Sequence, residues 1–139
     1  MATKIDPGTA DFASLVEGLA LKGRAAQRKL AALSSAAKAD ALMQSAAAIR
    51  EDSAAILSAN AQDVADGEAR GLTGAMLDRL TLDPNRLESI TSALEAVAGL
   101  PDPVGDIIDS STRPNGLEIS RVRVPIGLIG IIYESRPNV

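Results

Sequence analysis

The feature that most constrains the fold is an unbroken apolar run over residues 126–133, with the sequence IGLIGIIY. Successive residues are apolar in both phases of a strand, which is typical of a strand buried in a parallel sheet with helices on each side. Each parallel neighbour needs a crossover of roughly a dozen or more residues, and Val139 follows soon after the run. We therefore expect the chain to be the opening part of a larger α/β protein.

The sequence before Gly99 predicts helices, because it is rich in Ala, Leu, Lys, Arg, Glu and Asp and poor in β-branched residues. From about Asp11, apolar residues at spacings built from three and four predict one long amphipathic helix. This apolar stripe contains Phe12, Leu15, Val16, Leu19, Ala26, Leu30 and Leu33. The opposite face is basic, with Lys22, Arg24, Arg28 and Lys29. Such a cluster is either an anion or partner site or a solvated helix face, and the solvated face is favoured.

Further apolar spacing predicts helices over about 39–49 and 56–64, with a break or cap at 50–53, and a short helix over about 75–80. The clearest helix start is Asp83-Pro84, an N-cap acceptor followed by proline at the first helical position. Gly99 and the proline shortly after it predict the end of that helix.

The sequence after Gly99 predicts an extended linker and then a β-hairpin. Strand-like runs at Asp106–Thr112 and Leu117–Val124 flank a turn that contains Asn115-Gly116, a pair that tolerates positive φ. The apolar alternation of the second run changes phase near Ser120 and Arg121. A bulge or a change of pairing partner at this point explains the change.

The composition excludes several classes of site. There is no cysteine and no histidine, so the chain has no disulfide, no thiolate or imidazole metal site and no Cys or Ser-His nucleophile. We therefore expect no metal. A net charge of −4, with one Phe and one Tyr, argues against nucleic acid as a partner. No signal-like or membrane-length apolar segment occurs, so we expect no membrane association and a cytoplasmic location.

The segment 121–139, RVRVPIGLIGIIYESRPNV, closely resembles the γ-glutamyl phosphate reductases, also called glutamate-5-semialdehyde dehydrogenases. These enzymes are members of the aldehyde dehydrogenase superfamily. The stretches 59–63, 71–72, 77–80 and 100–105 also match, and the resemblance spans about the first third of such an enzyme. The final YESRPNV is specific to the reductases, whereas the preceding Pro-x-Gly-x-x-Gly occurs across the superfamily.

The resemblance implies that NADPH reduces L-glutamyl 5-phosphate to L-glutamate 5-semialdehyde with release of phosphate, in L-proline biosynthesis. The family uses a cysteine thiolate that displaces phosphate to form a thioester. Family members carry this cysteine downstream of the region that corresponds to this sequence, so we expect the isolated chain to be inactive. The implied organisation is a helical part of the cofactor-binding domain at 1–100, a linker and hairpin oligomerisation arm at 101–124, and the first strand and following loop of a Rossmann-like NADP-binding sheet at 125–139.

The same resemblance implies roles for the last residues. Asn138 matches the asparagine whose side-chain amide stabilises the oxyanion of the tetrahedral intermediate. Without the resemblance, Pro137-Asn138 is better interpreted as a turn. The expected cofactor-binding residues are Tyr133, Glu134, Ser135 and Arg136. Arg136 either binds the 2′-phosphate of the cofactor or the acyl phosphate, or forms a structural ion pair with Glu134.

By the same resemblance, the hairpin corresponds to the arm that bridges subunits, which predicts a homo-oligomer of the intact enzyme. An internal ribbon packed on its own domain is the alternative for this segment. A different class of function also stays open from the residues alone. It is a non-enzymatic helical interaction module that pairs with a partner through its C-terminal strands.

Overall fold

A computed structural model describes residues 11–133 and Pro137, and within them it contains five helices followed by one hairpin. The elements in chain order are α1 (Phe12–Ala31), α2 (Ser35–Glu51), α3 (Ser53–Ala69), α4 (Gly74–Leu80), α5 (Pro84–Ala98), β1 (Ile107–Thr112) and β2 (Glu118–Val122). They form two compact units: α1 with the hairpin, and α2 to α5. None of the helices in this part of the chain is both long and apolar enough to cross a membrane.

The helix boundaries follow from capping side chains. Asp11 accepts hydrogen bonds from the backbone N–H groups of Ala13 and Ser14, at 3.1 and 3.3 Å, and begins α1 as predicted. The Ser14 hydroxyl and backbone N–H, which both donate to the Asp11 carboxylate, hold the pKa of Asp11 below its ordinary value. Asp83 accepts from the backbone N–H of Arg86 at 2.7 Å, with Pro84 at the first position of α5. The predicted start of this helix is confirmed, and Gly99 caps its end.

The helical unit has its core where α2 packs on α5, which is its most extensive helix contact. Ala46 in α2 and Thr91 in α5 are completely buried, and Leu87 is nearly so. Small side chains let the two helices approach closely. The Thr91 hydroxyl donates to the backbone carbonyl of Glu88 at 2.9 Å, so its burial leaves no unsatisfied polar atom.

The other unit has no buried side chain among its described residues, 11–33 and 103–130. The apolar stripe of α1 is exposed, and every residue of β1 and β2 is exposed. A close contact joins α1 to the segment that follows the hairpin, where the side chain of Leu128 packs against Gly23. A Cβ atom at Gly23 would lie 2.9 Å from Leu128 Cδ1, so the absence of a side chain permits this contact.

The hairpin forms at the predicted place. Gly116 in its turn has φ of 84°, and its backbone N–H donates to the carbonyl of Arg113 at 2.8 Å. The predicted irregularity also occurs beside Arg121. Its extra residue is in β1, however, because Ile107 pairs with Val122 and Asp109 pairs with Arg121, which leaves Ile108 between them.

The predicted inner strand over 126–133 is wrong for this structure, since these residues belong to neither a helix nor a strand. The sheet of the described chain contains β1 and β2 alone, as an antiparallel pair, so it offers the run no parallel neighbour. The side chains of the run are largely exposed, and Ile132 is fully so. An apolar run favours burial, but a strand also needs neighbouring backbone groups that accept and donate its hydrogen bonds. The described fold is therefore rich in helix with one small antiparallel sheet.

Candidate functional site

The structure describes one of the five predicted site residues. Tyr133 lies outside regular secondary structure, and its residue surface is 57% exposed. Glu134, Ser135, Arg136 and Asn138 lie outside the described residues. Their expected gathering around cofactor and substrate therefore stays a prediction.

Pro137, which is part of the same predicted motif, is described and partly buried. It lines a cavity of about 730 Å³ together with α4, α5 and the connection between these helices. The apolar part of the lining comes mainly from α5 and comprises Leu82, Ile90, Ala93, Leu94 and Val97. The polar part comprises Asp78, Arg79, Thr81, Arg86 and Ser89. The lining therefore includes the residue that directly precedes the predicted catalytic residue in the sequence.

Arg86 holds the wall of the cavity at the α4–α5 connection. Its Nη1 donates to the backbone carbonyl of Thr81 at 2.8 Å and also to the backbone carbonyl of Asp78. Its Nη2 donates to the Asp78 carboxylate at 2.6 Å. A planar guanidinium can make these hydrogen bonds together because its donors form a rigid fork. Arg86 therefore fixes the end of α4 to the first turn of α5.

Asn60 in α3 fixes the same connection from the other side. Its Nδ2 donates to the carbonyl of Leu80 at 2.8 Å, and its Oδ1 accepts from the backbone N–H of Leu82 at 2.6 Å. Asn60 is 6% exposed, so both backbone groups depend on this side chain rather than on water. The sequence did contain a signal for it. Asn60 is a polar residue on the predicted apolar face that Ile56 and Val64 share, four residues away on each side.

On the protein surface, a cluster of ion pairs joins α2 to α5, and it comprises Arg50, Glu88 and Glu95. Arg50 donates to Glu88 through Nη2 at 2.7 Å and Nε at 3.1 Å. It also donates to Glu95, through Nη1 and through Nη2, the latter at 3.1 Å. Glu88 and Glu95 lie two turns apart on one face of α5, so one guanidinium reaches both. Hydrogen bonds from Arg50 hold the pKa of each glutamate below its ordinary value, and those same bonds, first to Glu95 and then to Glu88, raise the pKa of Arg50.

These arrangements bind and position groups, and they contain neither a cysteine thiolate nor a Ser-His pair. The sequence has neither cysteine nor histidine. In the region covered by the structure, no three acidic side chains converge in the way that a metal ion requires. Arg50 is held by carboxylates, and Arg86 is held by a carboxylate and by backbone carbonyls.

No protein-family model matches the chain. Individual relatives match it strongly. It is 58% identical over 129 residues to the γ-glutamyl phosphate reductase of Rhizorhabdus wittichii, covering 93% of the chain and 30% of the relative. It is 59% identical over 138 residues to the protein of the same name from Sphingopyxis alaskensis, covering 99% of the chain and 32% of the relative. The chain thus spans about 30% of the length of the curated relatives it matches.

Solved structures give the same result. The crystal structure of γ-glutamyl phosphate reductase from Thermotoga maritima superposes with a TM-score of 0.81 at 46% identity, over 86% of this chain and 29% of that one. The enzyme of that name from Saccharomyces cerevisiae gives a TM-score of 0.72 at 29% identity, over 78% of this chain and 28% of that one. In sequence and in fold, the chain is therefore homologous to the N-terminal part of the γ-glutamyl phosphate reductases.

Proposed function

We propose that the chain is the N-terminal part of a reductase that acts in L-proline biosynthesis. The reaction is the NADPH-dependent conversion of L-glutamyl 5-phosphate to L-glutamate 5-semialdehyde with release of phosphate. The observation that supports this proposal is identity of 50–59% to proteins named γ-glutamyl phosphate reductase, over at least 90% of the chain. The cytoplasm is the compartment that the proposal implies. The alternative, a non-enzymatic helical interaction module, is not favoured by these relatives.

In this proposal the chain binds and orients the reactants, and the nucleophilic thiolate belongs to another part of the reductase. The side-chain amide of Asn138 donates a hydrogen bond to the developing oxyanion. A fixed neutral donor suits this role because it stabilises the transition state without having to reorganise. NADPH supplies the hydride when it is bound. Tyr133, Glu134, Ser135 and Arg136 line its cleft, with Arg136 as a bidentate partner for a phosphate group.

We also propose that the intact reductase is a homo-oligomer in which the hairpin is the bridging arm. Every residue of both strands is exposed, and their apolar side chains include Ile107, Ile108, Ile119 and Val122. An exposed ribbon with apolar residues and free strand edges is suited to pairing with another chain.

A chimeric reductase tests the proposed function. The chain replaces the matching N-terminal part of the Sphingopyxis alaskensis relative, to which it is 59% identical. We expect the chimera to oxidise NADPH in the presence of L-glutamyl 5-phosphate and to release phosphate. The remainder of the relative, expressed without an N-terminal part, is the control and should be inactive. A folded chimera that binds NADPH but turns over no acyl phosphate would contradict the proposal.

A further inference from the structure

We infer that Lys38 and Asp102 form an anchor for the connection between α5 and β1, residues 99–106, and that this anchor restricts the movement of the hairpin. In the intact reductase the anchor would thereby support the contact between subunits. This second part rests on the proposed function, in which the hairpin is the bridging arm. The anchor bonds the connection to α2.

The first observation is the ion pair itself. Lys38 Nζ lies 2.7 Å from Asp102 Oδ2, and the same oxygen accepts a hydrogen bond from Ser35 Oγ at 3.2 Å. The two donors are three residues apart in α2, so they share one face of the helix. The side chains of Lys38 and Asp102 are 29% and 17% exposed, so water screens this pair less than it screens the more exposed pairs of Arg50.

The second observation is the backbone around Asp102, which lies between Pro101 and Pro103. Proline has a fixed φ of about −65°, and it restricts the residue before it to extended conformations. The backbone of Asp102 therefore has little freedom to rotate while its carboxylate is held. A side-chain contact at this one position restricts the path of three consecutive residues.

The third observation is that hydrogen bonds continue from the connection into the hairpin. The backbone N–H of Asp106 donates to the carbonyl of Pro103 at 3.2 Å and closes a turn in which Gly105 has φ of 96°. The backbone N–H of Gly105 donates to the carbonyl of Arg123 at 2.9 Å. The N–H of Arg123 donates in turn to the carbonyl of Asp106, also at 2.9 Å. The turn after Asp102 is therefore bonded to the residue that follows β2.

The ion pair differs from these turn bonds in its reach, because Lys38 and Asp102 are 64 positions apart in the sequence. Loss of the pair leaves the turn and the hairpin bonded to each other, but it releases the connection from α2. A mobile arm must be ordered when subunits associate, and this ordering opposes association.

The test measures distances between α2 and β1 by pulsed electron paramagnetic resonance. The chain has no cysteine, so Ala48→Cys and Ser111→Cys place one spin label on an exposed residue of each element. Dilution with unlabelled chain removes distances between copies. We expect Lys38→Gln to widen the distribution of distances about twofold or more, because the connection gains conformational freedom. Lys38→Arg keeps the positive charge and should leave the width unchanged.

Asp102→Asn removes the same ion pair from the other side, so it should widen the distribution as Lys38→Gln does. The matched control is Arg50→Gln, which removes ion pairs between α2 and α5 and leaves the connection intact. It should keep the width of the unmodified chain, and circular dichroism shows whether each variant keeps its helices. An unchanged width in Lys38→Gln and Asp102→Asn, or equal widening in Arg50→Gln, would overturn the inference.

The chimeric reductase tests the consequence for assembly. Lys38→Gln should raise the dissociation constant between its subunits about tenfold, as measured by analytical ultracentrifugation. An unchanged constant would overturn the link between the anchor and assembly. If Ile119→Lys on the exposed hairpin leaves the chimera assembled, the proposed bridging role fails instead, and the spin-label distances still decide whether the anchor restricts the hairpin.

Discussion

The side-chain oxygen of Asn60 accepts a hydrogen bond from the backbone N–H of Leu82 at 2.6 Å, across 22 positions of the sequence. The same side chain donates to the carbonyl of Leu80, so one amide replaces a backbone partner on each side of Thr81. The connection between α4 and α5 thereby has a defined shape, although it contains no regular secondary structure. A single buried amide therefore links α3 to the end of α4 and to the connection that leads to α5.

Replacing Asn60 by alanine should destabilise the helical unit by about 2–3 kcal/mol, because it leaves two backbone groups unpaired in a largely buried setting. Urea unfolding of the chain followed by circular dichroism measures the change. The matched control is Gln62→Ala, which removes an exposed side chain that bonds only Asp66. That variant should stay within about 0.5 kcal/mol. A similar loss in both variants would contradict the role assigned to Asn60.

Two helical glycines should respond in opposite directions to alanine. A Cβ atom at Gly67, which is buried in α3, would lie 2.9 Å from Leu72 Cδ1 and 3.3 Å from Leu80 Cδ2. Because these leucine side chains would both have to move, Gly67→Ala should destabilise the chain by about 1–2 kcal/mol despite its better helix propensity. At Gly18 in α1 the new atom meets nothing, so Gly18→Ala should raise helix stability by up to about 1 kcal/mol. Thermal unfolding of the two variants compares them, and stabilisation by Gly67→Ala would show that the leucines repack freely.

The Arg50 cluster should make the stability of the chain sensitive to acid. The pKa values of Glu88 and Glu95 are lowered in the folded state, so the unfolded chain binds more protons. Their contribution is therefore present above the ordinary glutamate pKa of 4.5 and is lost as the pH falls through the lowered values. Arg50→Gln should reduce this dependence, as measured by urea unfolding between neutral and acidic pH. Lys22→Gln removes the same charge from the exposed face of α1, and its curve should run parallel to that of the unmodified chain.

Replacing Asn138 by alanine in the chimeric reductase should lower kcat by at least about tenfold, since the oxyanion loses a fixed donor. The dissociation constant for NADPH should change little, because the proposed contact is made in the transition state. Stopped-flow turnover and fluorescence titration measure the two quantities. An unchanged kcat would remove Asn138 from the mechanism.

If the hairpin bridges subunits, a charge on its apolar surface should dissociate the chimeric reductase. Ile119→Lys buries a cation in the proposed contact, so light scattering should detect a smaller species. Thr112→Lys adds the same charge at a polar position of β1 and should leave the assembly intact. An unchanged mass for both variants would argue for the internal ribbon instead.

The sequence alone predicts those elements whose stabilising interactions join residues only a few positions apart. Asp83 and Pro84 define the start of α5 through one side-chain acceptor and one fixed φ, and both act within a few residues. The turn at Asn115 and Gly116 is equally local. The phase change near Ser120 and Arg121 predicts a bulge or a change of partner, and a bulge occurs there, but its extra residue is Ile108 in β1. A phase change does not show which strand contains the insertion.

Features that depend on distant partners were harder to predict. The run 126–133 has the composition of an inner strand, but strand formation also requires neighbours that composition cannot supply. The polar position of Asn60 on an apolar face does not reveal that Leu80 and Leu82 are its partners. Arg86 gave no sequence signal beyond its charge. Its role depends on the tertiary path of the α4–α5 connection.

The contact between Gly23 and Leu128 has a consequence for the order of folding. During synthesis α1 leaves the ribosome first, but the residue that packs on Gly23 emerges only after α2 to α5 have been made. Closing so long a loop is slow, whereas α2 to α5 follow one another in sequence and can assemble earlier. The packing of Leu128 against α1 is therefore expected to be a late event, formed after the helices that separate the two residues in sequence.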